Sequence, residues 1–189
     1  ALGIAAVAKS VPDGHTLLFS GLSALVVSPV LFKDVEFDPV ESFSPAAMVG
    51  RSNFVLVVNP SLPVKTVAEF VAYVKARPGK LNYTGGAVAT PPHIVMEIFK
   101  TQNGLDLVAV NYKGSAPGIA ALLANEVQAA VDQLAGLQSH IGAGKLRPLV
   151  VSAAKRMRQL PDVPSATEAG VPNFIVGDRK STRLNSSHG

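Results

Sequence analysis

The sequence predicts an α/β protein built on a largely parallel sheet flanked by helices, and three observations lead there. Between Leu81 and Ser152, four short apolar or β-branched runs alternate with three amphipathic ones, the strand and helix alternation of parallel sheets. Helix starts are marked by capping-box spacing, Thr66 with Glu69 and Ser165 with Glu168. An apolar content of 48% over 189 residues is enough for one ordinary core or two small ones.

Taken in order, Leu2 to Lys9 is Ala-rich and reads as the end of a helix, stopped by Pro12-Asp13-Gly14. Thr16 to Ser20 reads as a buried parallel strand and ends in Ser20-Gly21-Leu22-Ser23. Val35 to Pro45 reads as a loop because Phe37-Asp38-Pro39 and Phe43-Ser44-Pro45 break it. Phe54 to Val58 is a β-branched strand ended by Asn59-Pro60. Val67 to Ala76 is the clearest helix, opened by Thr66 and Glu69 and closed by Pro78-Gly79. The alternating part follows: strand Leu81 to Thr84, helix Pro92 to Thr101 with Ile94, Ile98 and Phe99 inward, and strand Leu107 to Asn111. Helix Gly114 to Leu123, strand Val127 to Asp132, helix Leu134 to Ile141 and strand Leu146 to Ser152 complete it. Ser165 opens a short helix that Gly170 ends, and Phe174 to Val176 has a last strand pattern. Asp178 to His188, DRKSTRLNSSH, resembles the translation of a sequencing-library adapter, so residues 178–189 are expected to be a non-native tail outside the fold.

Composition excludes several classes of function. No cysteine is present, which removes disulfides, Cys-ligated zinc and thiol catalysis. No apolar run reaches the roughly 18 residues that a membrane-spanning helix needs. Arg179, Lys180, Arg183 and Asp178 all lie in the tail, so the net charge of +4 is halved without it. The other basic residues are scattered singly, and no nucleic-acid partner is expected. The chain shows no initiator Met and no leader pattern, so an address carried by the natural N-terminus is not readable here.

Chemistry is sought where strands of a parallel sheet end, because ligands bind beyond their carboxyl ends. Those loops carry Ser20, Gly21 and Ser23; Gly85, Gly86, Ala87, Thr90 and His93; Tyr112 and Gly114; and Asp132. The stretch KLNYTGGAVATPPHIVMEIF, Lys80 to Phe99, is the richest. Small residues precede a helix whose first-turn N–H groups and positive dipole end suit an anion, and Gly86 to Thr90 are expected to offer backbone donors and a hydroxyl. Asp132 can accept from an amino or hydroxyl group at the far end of a ligand. Each has a plainer role: Thr90 as N-cap before Pro91-Pro92, His93 as part of the same helix start, Tyr112 as half-buried packing.

No catalytic constellation accompanies these loops. His15, His93, His140 and His188 are far apart in sequence, and neither HExxH nor GxSxG occurs. Gly21-Leu22-Ser23-Ala24-Leu25 half matches a nucleophile elbow. His93 and Glu97 share a helix face at i, i+4 but bring no third metal ligand. Neither GxGxxG nor GxxxxGK[ST] is present, and no cofactor is expected.

At these residues the chain resembles the extracytoplasmic substrate-binding receptors of tripartite tricarboxylate transporters, also called Bug receptors. The resemblance runs from Gly3 to Gly177 through VPDGHTLLF, FDPVESFSPAAMVG, FVLVVNPSLPVKTVAEFVAYVKARPGKLNY, TPPHIVMEIFK, VNYKGSAPGIAALL, VQAAVDQ, HIGAGKLRPLVVSAAKR and LPDVPSATEAGVP. It implies a two-lobed, type II periplasmic-binding-protein fold without catalytic activity. Such a monomeric periplasmic receptor closes on a small carboxylate and delivers it to a membrane permease. Residues 1–54 would be an incomplete lobe one, 55–173 lobe two and 174–177 the start of a return crossing. By this resemblance segments of lobe one are absent, and the polypeptide as written is expected not to bind like a full receptor. The binding turn departs from the family's usual SAGNGTSPH: Gly85 to His93 reads GGAVATPPH, with Ala87 and Ala89 for Gly, Val88 for Asn and Pro91 for Ser. Two other readings stay open from the residues alone, an effector domain of a transcription regulator with the same fold and a small-molecule α/β enzyme.

Overall fold

The computed structural model describes residues 2–21, 24–25, 29–30, 34–88, 90–175 and 177–185. The chain forms two compact units, Asn53–Gly177 and a second made of Ala1–Ser52 with the segment from Asp178 onward.

The larger unit holds a five-stranded sheet. Its strands are the end of β2 (Phe43–Val58), β3 (Asn82–Thr84), β4 (Val108–Ala109), β5 (Ala129–Gln133) and β6 (Arg147–Val151), in the order β6-β2-β5-β3-β4. β3 pairs parallel with both β4 and β5, whereas β2 lies antiparallel between β5 and β6. The four alternating strands therefore all point one way, as read from the sequence. The one reversed strand is the FVLVV run, whose register sets Phe54 opposite Gln133 and Val58 opposite Ala129.

Helices cover both faces, which is why the end of β2, Phe54 to Val58, is apolar at every position rather than every second one. Phe54, Leu56 and Val58 enter one core cluster with Val67, Phe70 and Val74 of α2 (Val67–Lys75) and Val95, Met96 and Phe99 of α3 (Pro91–Asn103). Val55 and Val57 enter the other, with Ile119 and Leu122 of α4 (Ser115–Leu123) and Leu134 and Leu137 of α5 (Leu134–Gly142). The inward face of α3 thus differs from the expected one: Val95 and Met96 are buried with Phe99, while Ile94 and Ile98 are half-buried. A stripe at positions 92, 95, 96 and 99 satisfies helical spacing as well as one at 94 and 98, and packing against β2 and β3 decides between them.

Capping follows the expected residues with altered detail. Thr66 Oγ1 accepts from the Glu69 N–H at 3.1 Å, but the Glu69 carboxylate reaches back to the Lys65 N–H, at 2.6 Å, rather than to that of Thr66. Ser165 and Glu168 do form a reciprocal box, at 2.9 and 3.3 Å. It opens a turn and not a helix, because Gly170 with φ 71° ends the segment before a helix can propagate. Phe174 likewise ends a 3₁₀ turn, Pro172–Phe174, in place of the expected strand, and Val176 lies outside the described residues.

In the smaller unit α1 (Leu2–Ala8) precedes β1 (Leu17–Gly21), and Ile4, Leu18, Leu25, Phe37 and Phe43 form its core. Phe37 meets Phe43 edge-on at 6.0 Å. Two expectations are corrected here. Strand β2 already begins at Phe43, inside the segment read as a loop, because Phe43 is drawn into this core. β1 is an antiparallel strand with Leu17 and Phe19 exposed, not a buried parallel one. Its partner is β7 (Gly177–Asn185), which takes in most of the segment expected to lie outside the fold. In the strand order β7 lies between β1 and β2, and such pairing uses main-chain groups, so a polar segment can join it.

Phe99 is fully buried and meets Phe174 edge-on at 5.4 Å. Phe99→Ala is expected to lower the unfolding free energy of the larger unit by about 3–5 kcal/mol, measured by chemical denaturation.

Candidate functional site

Strands β3, β4 and β5 end at the same edge of the sheet, and the chain turns after each of them into a helix. Their N-caps are Thr90 for α3, Gly114 for α4 and Gln133 for α5. All three caps line one cavity of about 250 Å³, together with Gly86, Ala87, Pro91, Pro92, Ser115 and Asp132. None of the three helix starts has a side-chain cap bond, whereas α2, whose Thr66 does not line the cavity, has one. First-turn N–H groups have no acceptor within their own helix. Proline removes the donor at Pro91, Pro92 and Pro117, which leaves His93 on α3, Ser115 and Ala116 on α4, and Leu134, Ala135 and Gly136 on α5.

The turn between β3 and α3 is closed on itself. A Cβ at Gly85 would lie 2.6 Å from His93 Cα and 2.7 Å from His93 N, so only glycine lets the turn lie directly on the helix start. Gly86 takes a left-handed φ of 77°, open to glycine at no steric cost. Its N–H donates to Thr84 Oγ1 at 3.2 Å, and its carbonyl accepts from the Tyr112 N–H at 3.1 Å. The Thr90 N–H donates to Ala87 O at 3.2 Å. The Thr90 hydroxyl, 2.8 Å from Gly85 O and 2.7 Å from Ala87 O, directs its one proton to the same turn. Gly86 and Thr90 therefore shape the cavity wall while their donors face inward, contrary to the expectation that they offer them to an anion. Among the described residues, the donors left without a partner there are those of the helix starts and, in the turn itself, the Ala87 and Val88 N–H groups.

Asp132 is the last residue but one of β5 and is only 7% exposed. One carboxylate oxygen accepts from the Gln133 N–H at 2.7 Å, and the other has no hydrogen-bond partner among the described residues.

Of the residues expected at a site, Gly86, Ala87, Thr90, Gly114 and Asp132 meet at this cavity. Gly85 and His93 lie just behind its wall, and Tyr112 packs half-buried against the second core cluster. Ser20 and Gly21 end β1 in the other unit, with the Ser20 hydroxyl 3.3 Å from Gly21 O. Ser23 lies outside the described residues, as does Ala89. Gln133, which shares the expected strand-end loop with Asp132, lines the cavity too, and so does Ser115, which was not expected there; its signal is a hydroxyl directly after a helix-start glycine.

The His93 and Glu97 pair holds no metal constellation. Glu97 accepts hydrogen bonds from the Tyr83 hydroxyl and from Lys100 Nζ, the latter at 2.8 Å, and the described residues contain no group of three metal-ligating side chains. Burial, and then the Glu97 carboxylate, push the Tyr83 hydroxyl up. Burial opposes ionisation of Glu97, but bonds from Lys100 and Tyr83 outweigh it and hold the carboxyl below its ordinary 4.5.

The model of the "Tripartite tricarboxylate transporter family receptor" matches residues 1–178. Protein BugT of Bordetella pertussis is 35% identical over 176 residues, 93% of this chain and 54% of that protein. A second Bordetella pertussis relative is 34% identical over 167 residues, 88% of this chain and 51% of its own length. The chain thus spans about half the length of the curated relatives it matches. Among solved structures, that of R. palustris Rpa4515 with adipate superposes with a TM-score of 0.86 at 31% identity, covering 100% of this chain and 63% of that one. MatC from Rhodopseudomonas palustris with bound malate gives 0.83 at 27%, covering 100% and 64%.

Two outcomes are expected from this geometry. Gly85→Ala forces the turn off the helix start and is expected to cost about 1–3 kcal/mol of stability. Gly142→Ala, with open space around its Cβ, is expected to be neutral or to gain up to about 1 kcal/mol, so comparing the two melts isolates the close approach. Because Glu97 is held low in the folded state, its stabilisation is complete above the ordinary carboxylate range near 4.5 and is lost as pH falls through the lowered value. Glu97→Gln is therefore expected to flatten the loss of stability below about pH 4.5, read from denaturation across pH.

Proposed function

Because this chain belongs to the tripartite tricarboxylate transporter receptor family, we propose that the cavity is the carboxylate-gripping part of a solute-binding site. The observation that carries this reading is the meeting of three helix starts at one cavity, each without a side-chain cap. Their free N–H groups and positive dipole ends favour a carboxylate and need no charged side chain to hold it. The adipate and malate of the two similar solved structures support this class of ligand.

In this reading the receptor binds and releases without a reaction. The ligand carboxylate takes the Ser115, Ala116 and Leu134 to Gly136 N–H groups directly or through waters. Residues 55–173 are one lobe and residues 1–54 part of another, with lobe closure retaining the ligand. A periplasmic location and delivery to a membrane permease complete the proposal, and both rest on the family.

Thermal unfolding of the full-length protein with a panel of mono-, di- and tricarboxylates tests this. At least one carboxylate is expected to stabilise it, by about 2.7 kcal/mol at one hundred times the dissociation constant, while the corresponding neutral amide does not. Absence of stabilisation by every carboxylate at millimolar concentration would contradict the reading.

A further inference from the structure

We propose that Asp132 makes this receptor selective for carboxylates that carry a hydrogen-bond donor, a hydroxyl or an ammonium group, near the bound carboxylate. The inference rests on the carboxylate reading above and narrows it. Asp132 lines the cavity and is more than nine-tenths buried, yet one of its carboxylate oxygens has no hydrogen-bond partner among the described residues. A buried charged acceptor left unsatisfied costs more than an ordinary hydrogen bond is worth, so a ligand that supplies the missing donor recovers that cost.

The neighbourhood sorts ligands in the same direction. The helix starts at Gly114 and Gln133 present positive dipole ends, and Asp132 sets a negative group beside them. A hydroxy or amino acid answers both, with its carboxylate toward the N–H groups and its donor toward Asp132. A plain diacid of the same length has the same carboxylates but nothing to give Asp132. Gln133 and Ser115 do not provide this discrimination, because each carries both a donor and an acceptor. Asp132 accepts only, and its bond to the Gln133 N–H uses one oxygen.

Matched series of four and six carbons distinguish the possibilities: succinate, malate and aspartate, then adipate, 2-hydroxyadipate and 2-aminoadipate. Calorimetric titration of the full-length protein is expected to show the hydroxy or amino member at least about tenfold tighter than the plain diacid of the same length. Asp132→Asn, which keeps shape and an oxygen for the Gln133 N–H, is expected to reduce the ratio of affinities within each series at least several-fold, most of all for the amino member, whichever way the plain diacid moves. Equal affinity within a series in the unaltered protein overturns the inference whether or not the variant folds. An Asp132→Asn variant that weakens all members alike also overturns it, since that is the mark of a purely structural aspartate. If no member of either series binds while another carboxylate stabilises the protein, the inference falls and the carboxylate reading stands; if no carboxylate of the wider panel stabilises it, both fall.

Discussion

Everything at the candidate site depends on leaving helix starts unsatisfied. First-turn amides must find an acceptor somewhere, and proteins ordinarily supply a Ser, Thr, Asp or Asn side chain for the purpose. Helix α2 follows that rule with Thr66. The three helices at the cavity do not: two begin after Gly114 and Gln133, and the third follows Thr90, whose hydroxyl is turned to its own loop and accepts no first-turn N–H. What brings these starts together is strand direction. β3 runs parallel with both β4 and β5, so all three end at one edge and feed their helices from the same side. Had either pairing been antiparallel, the starts would lie at opposite edges and no shared cavity would exist.

Two local features keep the arrangement open and charged in the right sense. The absence of a side chain at Gly85 allows the turn to rest on the backbone of Pro92 and His93, which fixes the mouth of α3 against β3. Buried Asp132 is tolerated because the Gln133 N–H and two positive helix ends partly compensate its charge. The sheet beneath is stiffened by β2, whose side chains enter both core clusters and tie the two helical layers to one strand.

Much of this was legible in the residues. Strand and helix alternation located the elements of the larger unit to within a few positions, and a polar Asp132 after the apolar VQAAV marked a strand end with something to do. The reversal of β2 was not legible, because a strand buried on both faces reads as FVLVV in either direction. Nor were the roles of Gly86 and Thr90, since composition identifies a helix-start turn but not where its protons go. Ser115 escaped because a serine after a helix-start glycine is ordinary, and only the cavity shows that it faces the same space as Asp132. The pairing of β7 with β1 depends on main-chain groups and left no side-chain pattern to find.

The central claim is that backbone amides at the helix starts hold a carboxylate, and amide chemical shifts on titration test it most directly. In ¹⁵N-labelled full-length protein, a bound carboxylate should move the amide protons of Ser115, Ala116, Leu134, Ala135 and Gly136 downfield, with His93 among the responders and the capped start of α2 unmoved. A stabilising carboxylate that leaves those amides in place and shifts others instead would contradict the account.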